Sequence, residues 1–173
     1  MLITTVDGLW VLQALTGIEV LGPELGLRPL LPHVESPGLA LRHPAAAELA
    51  AAGVIDEAGV VAPAVVEWLT VLSRRDVALF IQLRTPADGA APAGVLLARY
   101  AQWWVVIERR ENTIRLCGVG RAGDLAGAHD VVTTQLERLC GSNDPAPLRP
   151  VTLPAEAAAA ASLDALRAAL RAC

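Results

Sequence analysis

Between residues 75 and 120 the chain carries four apolar segments of strand length, at 76–84, 95–100, 103–108 and 113–117. They are rich in β-branched and aromatic residues and are bounded by Gly, Pro, Asn or charge, which is how strands read in sequence. The connections, including the Gly- and Pro-containing loop at 85–94, are too short for crossover helices. Neighbouring segments should therefore run antiparallel, as a meander over about residues 76–119.

On either side of this meander the apolar period changes from two to three or four. Asp7 is expected to cap a helix through Leu15, with Leu9, Leu12 and Leu15 on its apolar face and Gly17 as its stop. Pro23, Pro29, Pro32 and Pro37 interrupt the next stretch, so 18–43 should be irregular, with Leu25, Leu27, Leu30 and Leu31 packed down. Pro44 and Pro63 each stand at a first helical position. The second of these helices places Val65, Trp68, Leu69 and Leu72 on one face and ends at about Ser73, before Arg74 and Arg75. Asp124 should cap a helix over 125–140, with Leu125, Ala128, Val132, Leu136 and Leu139 as its stripe. A Pro-containing linker at 141–147, a short strand at 151–153 and an alanine-rich helix from Pro154 complete the pattern. The fold class predicted is α+β, an antiparallel meander flanked by helices.

Composition narrows the function classes. The 173 residues are 54 % hydrophobic and 18 % charged, as in a globular domain. The 14 basic residues are all arginine, scattered along the chain, and the net charge is -4. No basic stripe exists to displace counterions, so nucleic acid is not an expected partner. No apolar run reaches the roughly 18 residues of a membrane span, so no membrane insertion is expected. Cys117, Cys140 and Cys173 are widely spaced and form no Cys-x-x-Cys pair. With no signal-peptide pattern at the N-terminus, a reduced cytoplasmic compartment is the expected location.

Residues 118–123 fit the G-x-G-x-x-G pattern that lets a backbone approach a pyrophosphate. The pattern here follows the last strand of a meander, and its helix leads to a Pro-containing linker instead of a parallel strand. Asp124 also stands where a phosphate would bind. Structural glycines are the preferred reading, and a nucleotide-binding enzyme is the alternative. His33, His43 and His129 have no carboxylate or thiol at ligand spacing, and no G-x-S-x-G elbow occurs. The chain is expected to be no enzyme and to hold no cofactor or metal.

The pair Trp103–Trp104 is more informative, because adjacent strand residues point to opposite faces. One indole should enter the core, while the other meets a second layer, a partner or solvent. Either helices cover both faces, or part of the sheet is a docking surface carrying Tyr100, Trp103, Trp104 and, at the loop, Arg84.

A series of stretches, in order, resembles the EspG family: TTVDGLWVLQAL at 4–15, PELGLRPLLP at 23–32, HPAAAEL at 43–49, GVID at 53–56 and EWLTVL at 67–72. RRD at 74–76, WWVVIER at 103–109, ERLCG at 137–141 and APLRPVT at 146–152 continue it. The resemblance implies a cytosolic, non-enzymatic chaperone of mycobacterial type VII (ESX) secretion. Such a protein binds a PE–PPE heterodimer by the apolar tip of the PPE helical bundle. It also implies a twisted central sheet flanked by helical bundles, built from two related halves. Residues 1–153 then correspond to the first half, and 154–173 to the helix leading into the second. On this reading the chain is a shortened member or an inactive fragment, and its unpaired sheet edge is expected to support a homodimer.

Overall fold

The computed structural model describes residues 1–83 and 93–141. The expected linker at 141–147 (beyond Gly141), the strand at 151–153 and the helix from Pro154 lie outside the described residues, as do Arg84 and most of its loop.

Five strands form one antiparallel sheet in the order β1-β5-β4-β3-β2. Strands β2 (Val77–Leu83), β3 (Ala93–Tyr100), β4 (Trp103–Arg110) and β5 (Thr113–Arg121) are the expected meander. The fifth strand is β1 (Leu2–Thr5), which pairs with β5 from Leu2 opposite Leu116 to Thr5 opposite Thr113. The meander is thus extended at its far edge by the first residues of the chain. β5 also runs longer than expected, through Gly118 and Gly120, with the register against β4 shifting between Trp104 and Val105. Such a bulge locally bends and twists the strand.

Helix α1 (Val6–Thr16) follows β1 directly. Its N-cap is Thr5 rather than Asp7: the Thr5 backbone is extended and its hydroxyl accepts from the Gly8 amide at 3.1 Å. Asp7 lies in the first turn, where its charge still favours the helix dipole. Gly17 ends the helix in the left-handed conformation, with φ of 70°. Residues 18–43 contain only a 3-10 turn (Pro23–Leu25) and the short helix α2 (Pro37–Ala40). Leu25, Leu27 and Leu30 are buried there, whereas Leu31 is exposed, against expectation. Two arginines fasten this irregular stretch. Arg109 on β4 donates from Nη1 to the carbonyls of Leu25 (2.7 Å) and Gly26 (2.9 Å). Arg75 donates to the carbonyl of Leu21 at 2.9 Å and pairs with Glu24 at 2.8 Å. Helices α3 (Pro44–Ala51) and α4 (Pro63–Arg74) both begin at proline, as the sequence predicts.

The sheet has an apolar layer on each face. Leu96, Ala98, Val105, Ile107, Ile114 and Leu116 join the larger core with α1, α3 and α4. Val95, Leu97, Trp104 and Val106 face the other way and pack beneath α5 (Leu125–Cys140). Asp124 caps α5, accepting from the Gly127 amide at 2.9 Å. Ala128, Val132 and Leu139 of the expected stripe contact this second core. Leu125 and Leu136 do not; they are 87 % and 38 % exposed, against expectation. Arg138 of α5 ion-pairs with Glu108 of β4, a link from helix to sheet.

Candidate functional site

Tyr100 and Trp103 face each other across the turn between β3 and β4. Only Ala101 and Gln102 make that turn, and Ala101 takes a φ of 56°, which non-glycine residues seldom adopt. So tight a hairpin brings both aromatic rings to one end of the sheet. Trp103 is 49 % exposed, and the Arg121 guanidinium of β5 lies 5.2 Å from its ring centroid, within cation–π range.

Trp104 has the opposite fate. It is 3 % exposed and part of the core under α5, and its indole N–H donates to the Ala122 carbonyl at 3.3 Å. Arg99, directly opposite it on β3, lies over the ring at 5.8 Å and ion-pairs with Asp76 at 3.1 Å. The Arg99 hydrogen bond and charge hold the Asp76 carboxyl below its ordinary range.

α4 completes a groove with this end of the sheet. Val66, Trp68 and Val71 line its helical side, and Tyr100, Trp103, Val105 and Gly118 its sheet side, enclosing about 610 Å³. Trp68 approaches so closely that a Cβ on Gly118 would stand 2.9 Å from its Nε1. Arg121 and Glu67 supply the charge at the rim. Apolar walls with a few charged groups suit a hydrophobic side-chain cluster of a partner. Of the residues singled out by sequence, Tyr100, Trp103 and Trp104 line this groove, Trp104 as a buried wall. Arg84 lies outside the described residues. Trp68, Val71 and Arg121 were not singled out as binding residues. Their part depends on where α4 crosses the sheet, which the local pattern does not encode.

Two of the three glycines in the pattern have a structural explanation. Gly118 admits Trp68, Gly120 has a φ of 148° at the bulge, and the Asp124 carboxylate occupies the α5 N-terminus. Among the described residues no group of three or more His, Cys, Asp or Glu could hold a metal ion. His43 instead caps α3, its Nδ1 accepting from the Ala45 amide at 3.3 Å, and meets Trp10 edge to face. No helix among the described residues is long and apolar enough to cross a membrane.

The profile of the EspG family matches residues 5–173. The ESX-2 secretion-associated protein EspG2 of Mycobacterium tuberculosis, in strains CDC 1551 and H37Rv, is 56 % identical over 156 residues, 90 % of this chain. That match covers 56 % of EspG2, so the chain spans little more than half the length of these relatives. The fold is similar to the Mycobacterium tuberculosis type VII secretion system chaperone EspG5, solved in complex with the PE25–PPE41 dimer. The TM-score is 0.65 at 26 % identity, covering 99 % of this chain and 62 % of EspG5. The chain belongs to the EspG family.

Proposed function

We propose that this chain acts as a non-catalytic chaperone of type VII secretion, binding a PE–PPE heterodimer in the cytoplasm. The observation that carries this reading is the fold match, over nearly the whole chain, to a chaperone solved with a PE25–PPE41 dimer. The α4–hairpin groove is the binding surface in this proposal. Trp103 and Tyr100 provide the exposed aromatic contacts, Arg121 the rim charge, and the apolar tip of the PPE helical bundle is the occupant. Residues 1–153 act as the EspG-like half. Aromatic and arginine side chains at a groove are the usual anchors of protein interfaces. Keeping an apolar tip out of water needs no covalent chemistry, so no catalytic group is required.

Co-expression of the chain with a tagged PE–PPE pair tests this. The pair is expected to retain the chain through size exclusion. Failure to retain it, with pairs that a longer EspG protein does retain, would overturn the proposal.

A further inference from the structure

The walls of the α4–hairpin groove are apolar, but the polar groups that reach it are sorted by kind. Two of them are already used. The Thr70 hydroxyl donates to the Val66 carbonyl at 2.7 Å, and the Trp104 indole to the Ala122 carbonyl at 3.3 Å. The Trp68 and Trp103 indoles, the Tyr100 hydroxyl, Arg121 and Glu67 make no side-chain hydrogen bond or ion pair among the described residues. An indole or a guanidinium only donates, and a carboxylate only accepts. Trp68 springs from α4, but its Nε1 lies against Gly118 of β5. The donors are thus gathered along the sheet, while the carboxylate of Glu67 stands on the helix. Stacking on Trp103, at 5.2 Å, steadies the Arg121 guanidinium and leaves its N–H edge open.

We infer that this sorting fixes the direction in which the tip of a helical bundle enters the groove, which presupposes the PE–PPE reading above. The helix that ends at the tip lays its last carbonyls along Arg121 and the sheet wall. The helix that begins there faces Glu67. Where a bundle turns, one helix stops and the next starts. The stopping helix leaves four carbonyls without intrahelical donors and carries partial negative charge, and the starting helix leaves four amides and carries partial positive charge. Both ends need partners once apolar walls displace their water. The groove offers donors on one side and a carboxylate on the other. Entry in the reverse direction would set carbonyls against the Glu67 carboxylate and amides against Arg121, like facing like on both sides. The apolar walls accept either direction, so the rim charges discriminate between them.

Calorimetric titration of a PE–PPE heterodimer into the parent chain, Arg121→Glu and Glu67→Arg tests this. Both positions are exposed, so the unfolding midpoints should not move. Each charge reversal is expected to weaken binding roughly tenfold. Direction is read by rescue across the interface. A lysine introduced in the last turn of the PPE helix that ends at the tip should restore most of the affinity lost in Arg121→Glu. A lysine in the first turn of the helix that begins there should not. Rescue from the second helix instead, or reversals without effect on a parent that binds, would overturn the inference and leave the chaperone reading standing. A lowered midpoint in either variant would place these charges within the chain's own fold and overturn it as well. A parent that binds no pair accepted by a longer EspG protein would overturn both.

Discussion

The indole of Trp68 on α4 fills the space beside Gly118 of β5, where the Cβ of any larger residue would lie 2.9 Å from Nε1. This places the first glycine of the G-x-G-x-x-G pattern under a groove wall. Gly118→Val must push Trp68 off the sheet, and overpacking of this kind costs roughly 1–3 kcal/mol. At Gly123 an added Cβ would only meet Gln102 Cβ at 3.8 Å, so Gly123→Ala should change stability by about 0.5 kcal/mol or less. Urea unfolding of both variants measures the contrast. Comparable losses at the two positions would count against the structural reading.

Trp103 and Trp104 are neighbours with separate jobs, and truncation should tell them apart. Trp104→Ala empties a buried site beneath α5 and should cost roughly 3–5 kcal/mol. Trp103→Ala removes a half-exposed ring and should cost about 1 kcal/mol or less. Chemical denaturation of the two single variants is the check, and equal destabilisation would contradict the assignment.

Arg109 replaces regular secondary structure as the fastener of the 3-10 turn. One nitrogen serves two carbonyls, while its Nε donates to the Glu111 carbonyl at 2.9 Å. Arg109→Met keeps much of the aliphatic stem but loses these charge-assisted bonds, at a cost of roughly 1.5–3 kcal/mol. Arg109→Lys, lacking the planar fork, should recover only part of it. Amide exchange across residues 21–27 should quicken in Arg109→Met before the sheet amides change.

Glu35 makes stability depend on acid. Burial alone would raise its pKa, but the Leu31 amide, 2.7 Å away, and Arg28, 2.6 Å away, outweigh it and hold the carboxyl below its ordinary range. A folded-state pKa below the unfolded one gives stability that is full above the unfolded value of about 4 and is lost as pH falls through the folded value. Arg28 is largely exposed, so solvent screening limits the effect. Glu35→Gln should lower stability at neutral pH by roughly 0.5–1 kcal/mol, with the gap to the parent closing in acid. Thermal melts from neutral pH down to about pH 3 follow it; a gap that widens in acid would contradict the sign.

The strands were legible because alternation, β-branching and short polar turns agree across residues 76–117. The pairing of β1 with β5 joins the start of the chain to residues 113–116, and no local pattern encodes that. The extra length of β5 was hidden by Gly118 and Gly120, which weaken strand character in sequence yet are needed for Trp68 and the bulge. Helix starts at Pro44, Pro63 and Asp124 are plain from capping chemistry, whereas the Thr5 cap is masked in sequence by the acidic Asp7 two residues on. At the groove, the opposite fates of the two indoles follow from strand geometry. Which of them turns inward depends on the two-residue turn at Ala101 and on the placement of α4 and α5, both tertiary facts.

Calorimetric titration of a PE–PPE heterodimer into the parent chain and into Trp103→Ala bears most directly on the chaperone reading. The parent should bind, and the variant should bind roughly tenfold or more weakly, about 1.4 kcal/mol, with its unfolding midpoint nearly unchanged. Equal affinities in two folded proteins would exclude the α4–hairpin groove as the contact, and a parent chain that binds no pair accepted by a longer EspG protein would contradict the chaperone function itself.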